Sequence, residues 1–300
     1  MPLYQDEGVV LRTVKLGEAD RIVTLLTRDH GKIRAVAKGV RRTKSRFGGR
    51  LEPFMRVSLL IAEGRSLDVI SQAESVSAYA RGICTDFKAY TAANVICETA
   101  DKLVVTEQER SVAQYRLVLG ALNALSKHAH EAAAIGDSYV MRALAIAGWT
   151  PRLRACVVCG EPISADRPWF FSISAGGLMC STDHIRESFD VSWNAICQLQ
   201  ALVDGDWGEL DGTALLPETR QMVEKWGEYM KVLVVDDEKV VCDSTCKVLN
   251  SIGMNSEGVT TGKEAVTRVV EEHEKNDGLD FYSGIDLLYR IYNKGRDCRC

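Results

Sequence analysis

The sequence has no long apolar run and none of the short motifs that identify the common enzyme classes. A membrane-spanning helix needs roughly 18 apolar residues, whereas the run at 57–62 is among the longest here. The G-x-S-x-G and H-E-x-x-H patterns are absent, and Gly258-Val-Thr-Thr-Gly-Lys lacks the spacing of a phosphate-binding loop. We therefore expect a protein that is not an enzyme and has no membrane partner.

An export signal is also missing, because the first residues, Met1-Pro-Leu-Tyr-Gln-Asp-Glu7, contain no basic segment followed by an apolar one. The sequence thus predicts a cytoplasmic protein whose ten cysteines stay reduced. A disulfide framework is not expected, so metal binding or burial has to account for the cysteines. With 300 residues, 46% of them apolar and 26% charged, the chain is predicted to be globular and to form about two domains.

Residues 31–50 contain no Asp or Glu but eight Lys or Arg, although the whole chain has a formal net charge of −4. Residues 1–60 carry a net charge of +7, and the remaining 240 residues carry −11. A cationic region on an anionic protein indicates binding to a polyanion, because each neutralised phosphate releases condensed counterions. The alternative is a solvated loop that is basic without binding anything.

The N-terminal part of the chain has the pattern of a small β-barrel. Five short segments are rich in β-branched residues and are separated by turn residues: 7–15, 20–28, 31–38, 53–63 and 67–74. Five strands suit an OB-fold barrel, although their spacing fits an SH3-like barrel equally well. The basic run between the third and fourth strands contains three glycines and Phe47. We interpret it as a flexible loop that follows a nucleic-acid backbone and stacks one base on Phe47.

Residues 75–149 contain no proline and have a helical pattern. Apolar residues recur there at three- and four-residue steps, which predicts one buried stripe along a helix. The stripe consists of Tyr90, Ala93, Cys97, Ala100 and Val104. We interpret Cys84 and Cys97 as core residues, and His128 and His130 as solvated side chains without partners.

A cysteine cluster follows, in which Cys156-Val-Val-Cys159 precedes Cys180-Ser-Thr-Asp183-His184. A C-x2-C knuckle and a second half-site about twenty residues later are typical of a zinc ribbon. We expect a structural zinc ion held by Cys156, Cys159, Cys180 and a fourth ligand. His184 is favoured because nitrogen and sulfur dominate structural sites, and Asp183 is the alternative fourth ligand. A ribbon that survives as a metal-free loop remains the other interpretation.

Several motifs in order resemble the RecO family of bacterial DNA repair proteins. They are Gly8-Val-Val-Leu-Arg, Gly17-Glu-Ala-Asp-Arg21-Ile-Val, Gly31-Lys-Ile-Arg, Ala37-Lys-Gly-Val-Arg-Arg42, Leu51-Glu-Pro-Phe54, Ala147-Gly-Trp-Thr-Pro151, the Cys156–Cys159 knuckle and Ser174-Ala-Gly-Gly177. The resemblance implies an OB-fold domain at 1–78 and a helical domain at 79–230 with a zinc-ribbon-like insertion at 153–187. It also implies a non-catalytic recombination mediator that binds single- and double-stranded DNA and anneals complementary strands. The implied partners are RecR and the acidic tail of single-strand binding protein, and the mediator helps RecA to load.

Eight basic residues are the DNA-binding candidates that this resemblance and the charge pattern suggest. They are Arg21, Lys32, Arg34, Lys38, Arg41, Arg42, Lys44 and Arg46. Residues 38–50 are expected to be the main single-strand contact because of their charge density. Preference for DNA over RNA does not follow from the residues themselves.

The last part of the chain has a different pattern. Lys231-Val-Leu-Val-Val is followed by the acidic pair Asp236 and Asp237, which resembles the start of a response-regulator receiver domain. The strand that bears the phosphorylated Asp in that family has no counterpart, so we expect an incomplete receiver-like tail at 231–300 that does not hold Mg²⁺. The RecO-like part is expected to be C-terminally truncated within its last helix, which predicts a chimeric chain.

The complete sequence therefore predicts an α+β multidomain protein: an OB-fold barrel, a helical bundle with a zinc-ribbon-like insertion, and an incomplete α/β tail. The alternative function is a two-component signalling protein, with the tail as a receiver and the N-terminal domain as a DNA-binding output.

Overall fold

A computed structural model describes residues 2–104, 108–210 and 212–228, together with the backbone of two strands at 231–235 and 255–259. The chain divides into two compact units. The first comprises Met1–Ile146 and Gly205–Gly212, and the second comprises Ala147–Asp204 and Thr213–Cys300. None of the helices in the described ranges is long and apolar enough to cross a membrane.

The described residues form ten strands and seven helices. The strands are β1 (Leu3–Leu16), β2 (Asp20–Thr27), β3 (Gly31–Ala37), β4 (Met55–Ala62), β5 (Asp68–Ala78), β6 (Trp169–Ser172), β7 (Gly177–Cys180), β8 (Phe189–Val191), β9 (Lys231–Val235) and β10 (Asn255–Val259). The helices are α1 (Ala80–Ile83), α2 (Phe87–Leu103), α3 (Val112–Ser126), α4 (Ala132–Ile146), α5 (Trp193–Asp204), α6 (Trp207–Leu210) and α7 (Pro217–Glu228).

Strands β1–β5 close into a barrel with the order β1-β2-β3-β5-β4. The long strand β1 pairs antiparallel with β4 through its first half and with β2 through its second half. Strands β3 and β5 are parallel and share only the pairs Ala35–Asp68 and Val36–Val69. This order, with a short parallel closure, is that of an OB-fold. The structure therefore confirms the OB-fold prediction and rules out the SH3-like alternative.

Alternation along the strands separates the barrel interior from its outer surface. In β3, for example, Ile33, Ala35 and Ala37 are buried, whereas the residues between them are at least partly exposed. Outward-facing apolar residues of β1 and β2 instead pack on the helices of the same unit. Helices thus cover one face of the barrel, and charged side chains lie on its loops.

Helix α2 begins at Asp86, whose side chain accepts a hydrogen bond from the Lys88 amide at 2.9 Å. The predicted stripe is buried except at Tyr90, which is 45% exposed and packs edge-on against the Phe54 ring. The structure confirms that Cys97 is a core residue, and burial raises its pKa to about 12.

Two other predictions for this region are wrong. Cys84 is exposed because it caps the C-terminal end of the one-turn helix α1. His130 stacks on the ring of Trp207 with centroids 4.1 Å apart, so it has a partner. His128 is half-exposed, which agrees with a solvated side chain, but its Nδ1 lies 3.8 Å from the Asp86 carboxylate, so it has a partner as well.

The second unit contains the three-stranded sheet β7-β6-β8 and the helices α5 and α7. Trp169 and Phe171 on β6 are buried, and Phe171 packs against Trp226 of α7 at 5.8 Å. These two aromatic rings therefore form a core between the sheet and the helix and do not present a surface for base stacking.

Strands β9 and β10 pair in parallel, with Lys231 opposite Asn255 and Val235 opposite Val259. Strand β9 coincides with the apolar segment Lys231-Val-Leu-Val-Val noted in the sequence. Several predictions lie outside the described residues: the acidic pair Asp236 and Asp237, most of the predicted receiver-like tail, and the predicted truncation of the last RecO-like helix.

Candidate nucleic-acid interface and metal centre

Residues 38–50, called the basic loop below, connect β3 to β4 as a series of tight turns. Backbone amides donate to carbonyls three residues earlier, as in Arg42 to Gly39 (3.1 Å) and Ser45 to Arg42 (2.9 Å). Gly39 and Gly48 have φ values of +69° and +54°, a conformation that favours glycine. The glycines thus shape an ordered loop instead of an open coil.

Phe47 is buried inside the barrel with 1% of its surface exposed, and it packs with Val40 and Leu51. The prediction that Phe47 stacks a base is therefore wrong. Burial of this aromatic ring in the open end of the barrel core is more favourable in free energy than its exposure to water. Phe47 anchors the basic loop to the fold.

The basic loop is also bound to the hairpin between β1 and β2. The Gly39 amide donates to Asp20 Oδ1 at 2.7 Å, and the Arg41 amide donates to the Ala19 carbonyl at 2.9 Å. Arg41 Nη1 donates to the carbonyls of Gly17 and Glu18 at 3.1 and 2.9 Å. Part of the Arg41 guanidinium is therefore used to hold the loop, and only its remaining donors can reach a phosphate.

Five cationic side chains of the basic loop are exposed besides Arg41: Lys38, Arg42, Lys44, Arg46 and Arg50. Arg46 lies over the Phe47 ring, with its Cζ 4.8 Å from the centroid. Arg50 Nη1 donates to the carbonyls of Arg46 and Phe47. Among the described residues, Lys38, Arg42 and Lys44 have no ion-pair partner, so their full charge faces the solvent.

The other candidates predicted from sequence differ in their availability. Arg21 Nη1 lies 2.7 Å from Glu52 Oε1. Lys32 is only 11% exposed, lies 3.3 Å from Asp101 Oδ1 and donates to the Asp101 carbonyl at 2.7 Å. Arg34 is exposed on β3. Arg21 and Lys32 thus stabilise the fold through ion pairs, and Lys32 has little surface left for a ligand.

Sequence reasoning missed one exposed cation near this surface, Lys15, which lies directly opposite Arg21 across the β1–β2 hairpin. Arg50 is also exposed and was predicted only as part of residues 38–50. Like charges at opposed positions repel each other, and the carboxylate of Glu52 next to Arg21 offsets that repulsion. The register of the β1–β2 hairpin identifies Lys15, but sequence spacing predicts that register only coarsely.

The second unit brings together Cys156, Cys159, Cys180 and Asp183, with one ligand atom from each within 4.8 Å of all the others. The Sγ atoms of Cys159 and Cys180 are 3.9 Å apart. Asp183 Oδ2 lies 3.1 Å from Cys180 Sγ and 3.5 Å from Cys156 Sγ. Tetrahedral zinc with Zn–S bonds of about 2.3 Å separates its sulfur ligands by about 3.8 Å. The four residues therefore fit a zinc ion.

His184, the favoured fourth ligand, does not join this cluster. Its ring stacks on Phe170 with centroids 4.0 Å apart, and its Nδ1 lies 2.9 Å from the Ser181 carbonyl. The Asp183 amide donates to the Cys180 carbonyl at 3.3 Å, and this turn directs the Asp183 carboxylate back towards the thiols. The structure thus places Asp183, the alternative fourth ligand, next to the thiols and leaves His184, the favoured one, outside the cluster.

Backbone hydrogen bonds form the knuckle that carries the first two cysteines. The Gly160 amide donates to the Cys156 carbonyl at 3.1 Å, and the Cys156 amide donates to the Glu161 carbonyl at 2.8 Å. The Cys180 amide donates to Cys156 Sγ at 3.4 Å, which links the two half-sites. Amide–sulfur bonds of this kind orient metal-binding thiolates.

The electrostatics of the cluster suit a cation. Hydrogen bonding to Asp183 raises the pKa of the Cys159 thiol to about 12, and bonds from the thiols lower the pKa of Asp183. Four acidic groups that converge in this way repel each other when they ionise. A bound divalent cation offsets this repulsion and favours the deprotonated form of the thiols. The arrangement can hold a metal ion for structure, because four protein ligands leave no open position for catalysis.

A separate buried carboxylate stabilises the barrel. Asp6 accepts hydrogen bonds from the amides of Glu7, Asp29 and His30, and its Oδ2 lies 2.6 Å from His30 Nδ1. Burial alone would raise the pKa of Asp6, but the bond from His30 and the backbone bonds lower it. These contacts tie β1 to the β2–β3 turn.

An OB-fold barrel with a cationic loop, joined to helices and a cysteine ribbon, defines a nucleic-acid-binding protein of the barrel type. The family described as "Recombination protein O N terminal" matches residues 1–79, and "Recombination protein O C terminal" matches residues 84–229. The chain therefore belongs to the RecO family.

Named relatives agree with this assignment. The chain is 79% identical over 233 residues to "DNA repair protein RecO" of Bifidobacterium adolescentis, covering 76% of this chain and 95% of the relative. It is 65% identical over 229 residues to the protein of the same name from Bifidobacterium longum subsp. infantis, covering 76% and 94%. It is 46% identical over 214 residues to that of Thermobifida fusca, covering 71% and 87%.

Proposed function

We propose that this protein acts in DNA repair as a recombination mediator that binds DNA without catalysing a reaction. Its membership of the RecO family supports this function. The observation that carries the proposal is the set of three exposed, unpaired cations on the basic loop, within the described part of the chain: Lys38, Arg42 and Lys44. They offer phosphate contacts without first having to break an ion pair.

The physical basis of such a mediator is charge neutralisation. Two complementary strands repel each other through their phosphates, and a protein that neutralises phosphates releases counterions and lets the bases approach. Phosphate contacts carry no sequence information. The basic loop is therefore proposed to bind single- and double-stranded DNA of any sequence and to promote annealing.

Partners are proposed from the family resemblance. They are RecR and the acidic tail of single-strand binding protein, with RecA loading as the downstream step. The same resemblance supports a cytoplasmic location at the nucleoid. The proposed domains are an OB-fold domain at 1–78 and a helical domain at 79–230 with the ribbon at 153–187.

A structural zinc ion held by Cys156, Cys159, Cys180 and Asp183 is the second part of the proposal. When bound, such an ion joins the two half-sites, and the apparent binding energy of zinc in small zinc modules is about 10–16 kcal/mol. The protein's own contribution is the pair of turns that bring three thiols and one carboxylate together.

The tail at 231–300 is proposed to be a partial receiver-like fragment. The parallel pairing of β9 with β10 supports it, since parallel strands need a crossover connection like that of a receiver. The alternative function, two-component signalling, requires phosphoryl transfer to the tail. Incubation of the full chain with radiolabelled acetyl phosphate should leave it unlabelled, and stable labelling of an aspartate would favour the signalling alternative.

The experiment that tests the main proposal measures anisotropy of a labelled single-stranded DNA against salt, with the full chain. We expect affinity that falls with salt at a slope of about −0.7 per phosphate contacted, and faster annealing of a complementary strand. Single-stranded RNA of the same sequence is the matched comparison for sugar preference. Binding that is absent at low salt would refute a DNA-binding role for the barrel.

A further inference from the structure

We propose that Cys159 and Cys180 are a thiol pair that peroxide can join, and that oxidation of the pair to a disulfide releases the metal ion from the cluster. The inference goes beyond DNA binding. Only its second half, the release of the ion, rests on the proposed zinc site.

The distance between the two sulfurs carries the first step. Cys159 Sγ and Cys180 Sγ lie 3.9 Å apart in two different half-sites. A disulfide bond is about 2.05 Å long, so the sulfurs have to approach by about 1.9 Å. Cys159 is the exposed member of the pair.

Access distinguishes this pair from the third cysteine. Cys159 is exposed, whereas Cys156 is completely buried and its Sγ accepts the amide of Cys180. A small oxidant from solvent therefore meets Cys159 first. Hydrogen bonding to Asp183 raises the pKa of this thiol, so its oxidation is slow and needs excess peroxide. Cys180 is the thiol in direct contact with Cys159 and is 5% exposed, so it is placed to resolve the oxidised sulfur.

The chemistry balances with hydrogen peroxide as the oxidant. The Cys159 sulfur attacks one peroxide oxygen, the O–O bond breaks, and a sulfenic acid and water form. The Cys180 sulfur then attacks the Cys159 sulfur, the S–O bond breaks, and a second water leaves. Two thiols lose two electrons to the peroxide, and their two protons end in the water molecules.

Disulfide formation removes two of the four metal ligands. Cys156 and Asp183 remain, and two ligands do not satisfy the tetrahedral coordination that zinc requires. A covalent disulfide bond then links the two half-sites in place of the metal ion. A dithiol reductant reverses the exchange and restores the ligand set.

Mapping of the cysteines in the full chain tests the pair with or without zinc. Free thiols are alkylated with light reagent after peroxide treatment, and oxidised ones with heavy reagent after reduction. Trypsin leaves all three cysteines in one peptide, 155–186, because Arg167 precedes Pro168. Cleavage on the amino side of Asp166 therefore separates Cys180 from the other two, and fragment ions distinguish Cys156 from Cys159.

We expect heavy label on Cys159 and Cys180 and light label on Cys156. Heavy label on Cys156, or light label on all three, would overturn the pairing. Cys159→Ala should leave Cys180 light, and this change at an exposed position spares the core. The control Cys84→Ser removes an exposed thiol outside the cluster, and it should leave the pattern unchanged.

Zinc release is followed separately, with a metallochromic indicator and the zinc-loaded chain. Peroxide should release the bound zinc in parallel with heavy labelling, and dithiothreitol should allow it to rebind. A disulfide that forms without loss of zinc overturns the release step. A chain that never takes up zinc but still forms the disulfide contradicts the metal site and leaves the thiol pair intact.

Discussion

The basic loop makes a quantitative prediction about salt dependence. Replacing Lys38, Arg42 and Lys44 with alanine removes three exposed cations that have no ion-pair partner among the described residues. If each contacts one phosphate of single-stranded DNA, the slope of log affinity against log salt should become less negative by about 2.1, at about 0.7 per contact. If the variant and the wild type bind equally at about 1 M salt, the variant should bind about 100-fold more weakly at 0.1 M salt. This corresponds to about 2.8 kcal/mol of binding free energy.

The assay is fluorescence anisotropy of a labelled single-stranded DNA titrated with the full chain at several salt concentrations. The matched control replaces Lys88, Arg116 and Lys127, which are exposed on or beside helices α2 and α3. It removes the same charge far along the chain from the loop. We expect the control to keep the wild-type slope.

Two results would refute the reasoning. An unchanged slope in the loop variant would mean that these cations do not contact phosphate. An equal change in the control would mean that affinity follows the overall charge and not a local interface. Thermal unfolding of both variants checks that neither has lost its fold, since none of the six side chains is buried.

Three further predictions concern single residues. Phe47→Ala should lower the free energy of unfolding by about 3–5 kcal/mol in denaturant titrations, because the ring fills the barrel core; unchanged stability would contradict its role as an anchor. Asp183→Ala should weaken zinc binding in competition with a chelator, whereas His184→Ala should not; the reverse order would restore His184 as the fourth ligand. The lowered pKa of Asp6 stabilises the fold above its unfolded pKa of about 3.9, and that stability should be lost as the pH falls through the folded pKa. Denaturant titrations between neutral and acid pH should therefore show a weaker pH dependence for Asp6→Asn, and an identical profile would exclude this carboxylate as the source.

The barrel and the cysteine knuckle could be predicted because their signals are local and repeated. Alternation in β3, for instance, follows directly from the order of apolar and polar residues. The C-x2-C spacing at Cys156 and Cys159 restricts the chain to a tight turn. The order of strands around the barrel followed only from the structure, since it depends on pairing between distant segments.

The fate of individual residues in irregular segments could not be predicted in the same way. Phe47 lies in a glycine-rich loop, where spacing does not tell whether a ring points into the core or towards solvent. Asp183 and His184 are neighbours, and one turn hydrogen bond at Cys180 decides which of them faces the thiols. The ion pair of Lys32 could not be predicted either, because its partner Asp101 is on a helix almost seventy positions away.

The anchoring of the basic loop by Phe47, Val40 and Leu51 has a consequence for how this surface can evolve. The residues that anchor the loop in the core are apolar and buried, whereas Lys38, Arg42 and Lys44 are exposed cations without an ion-pair partner in the described part of the chain. Selection can therefore exchange or remove these three cations with little effect on folding. Affinity for nucleic acid and thermodynamic stability are in this way assigned to different positions of one short segment, and each can drift without constraining the other.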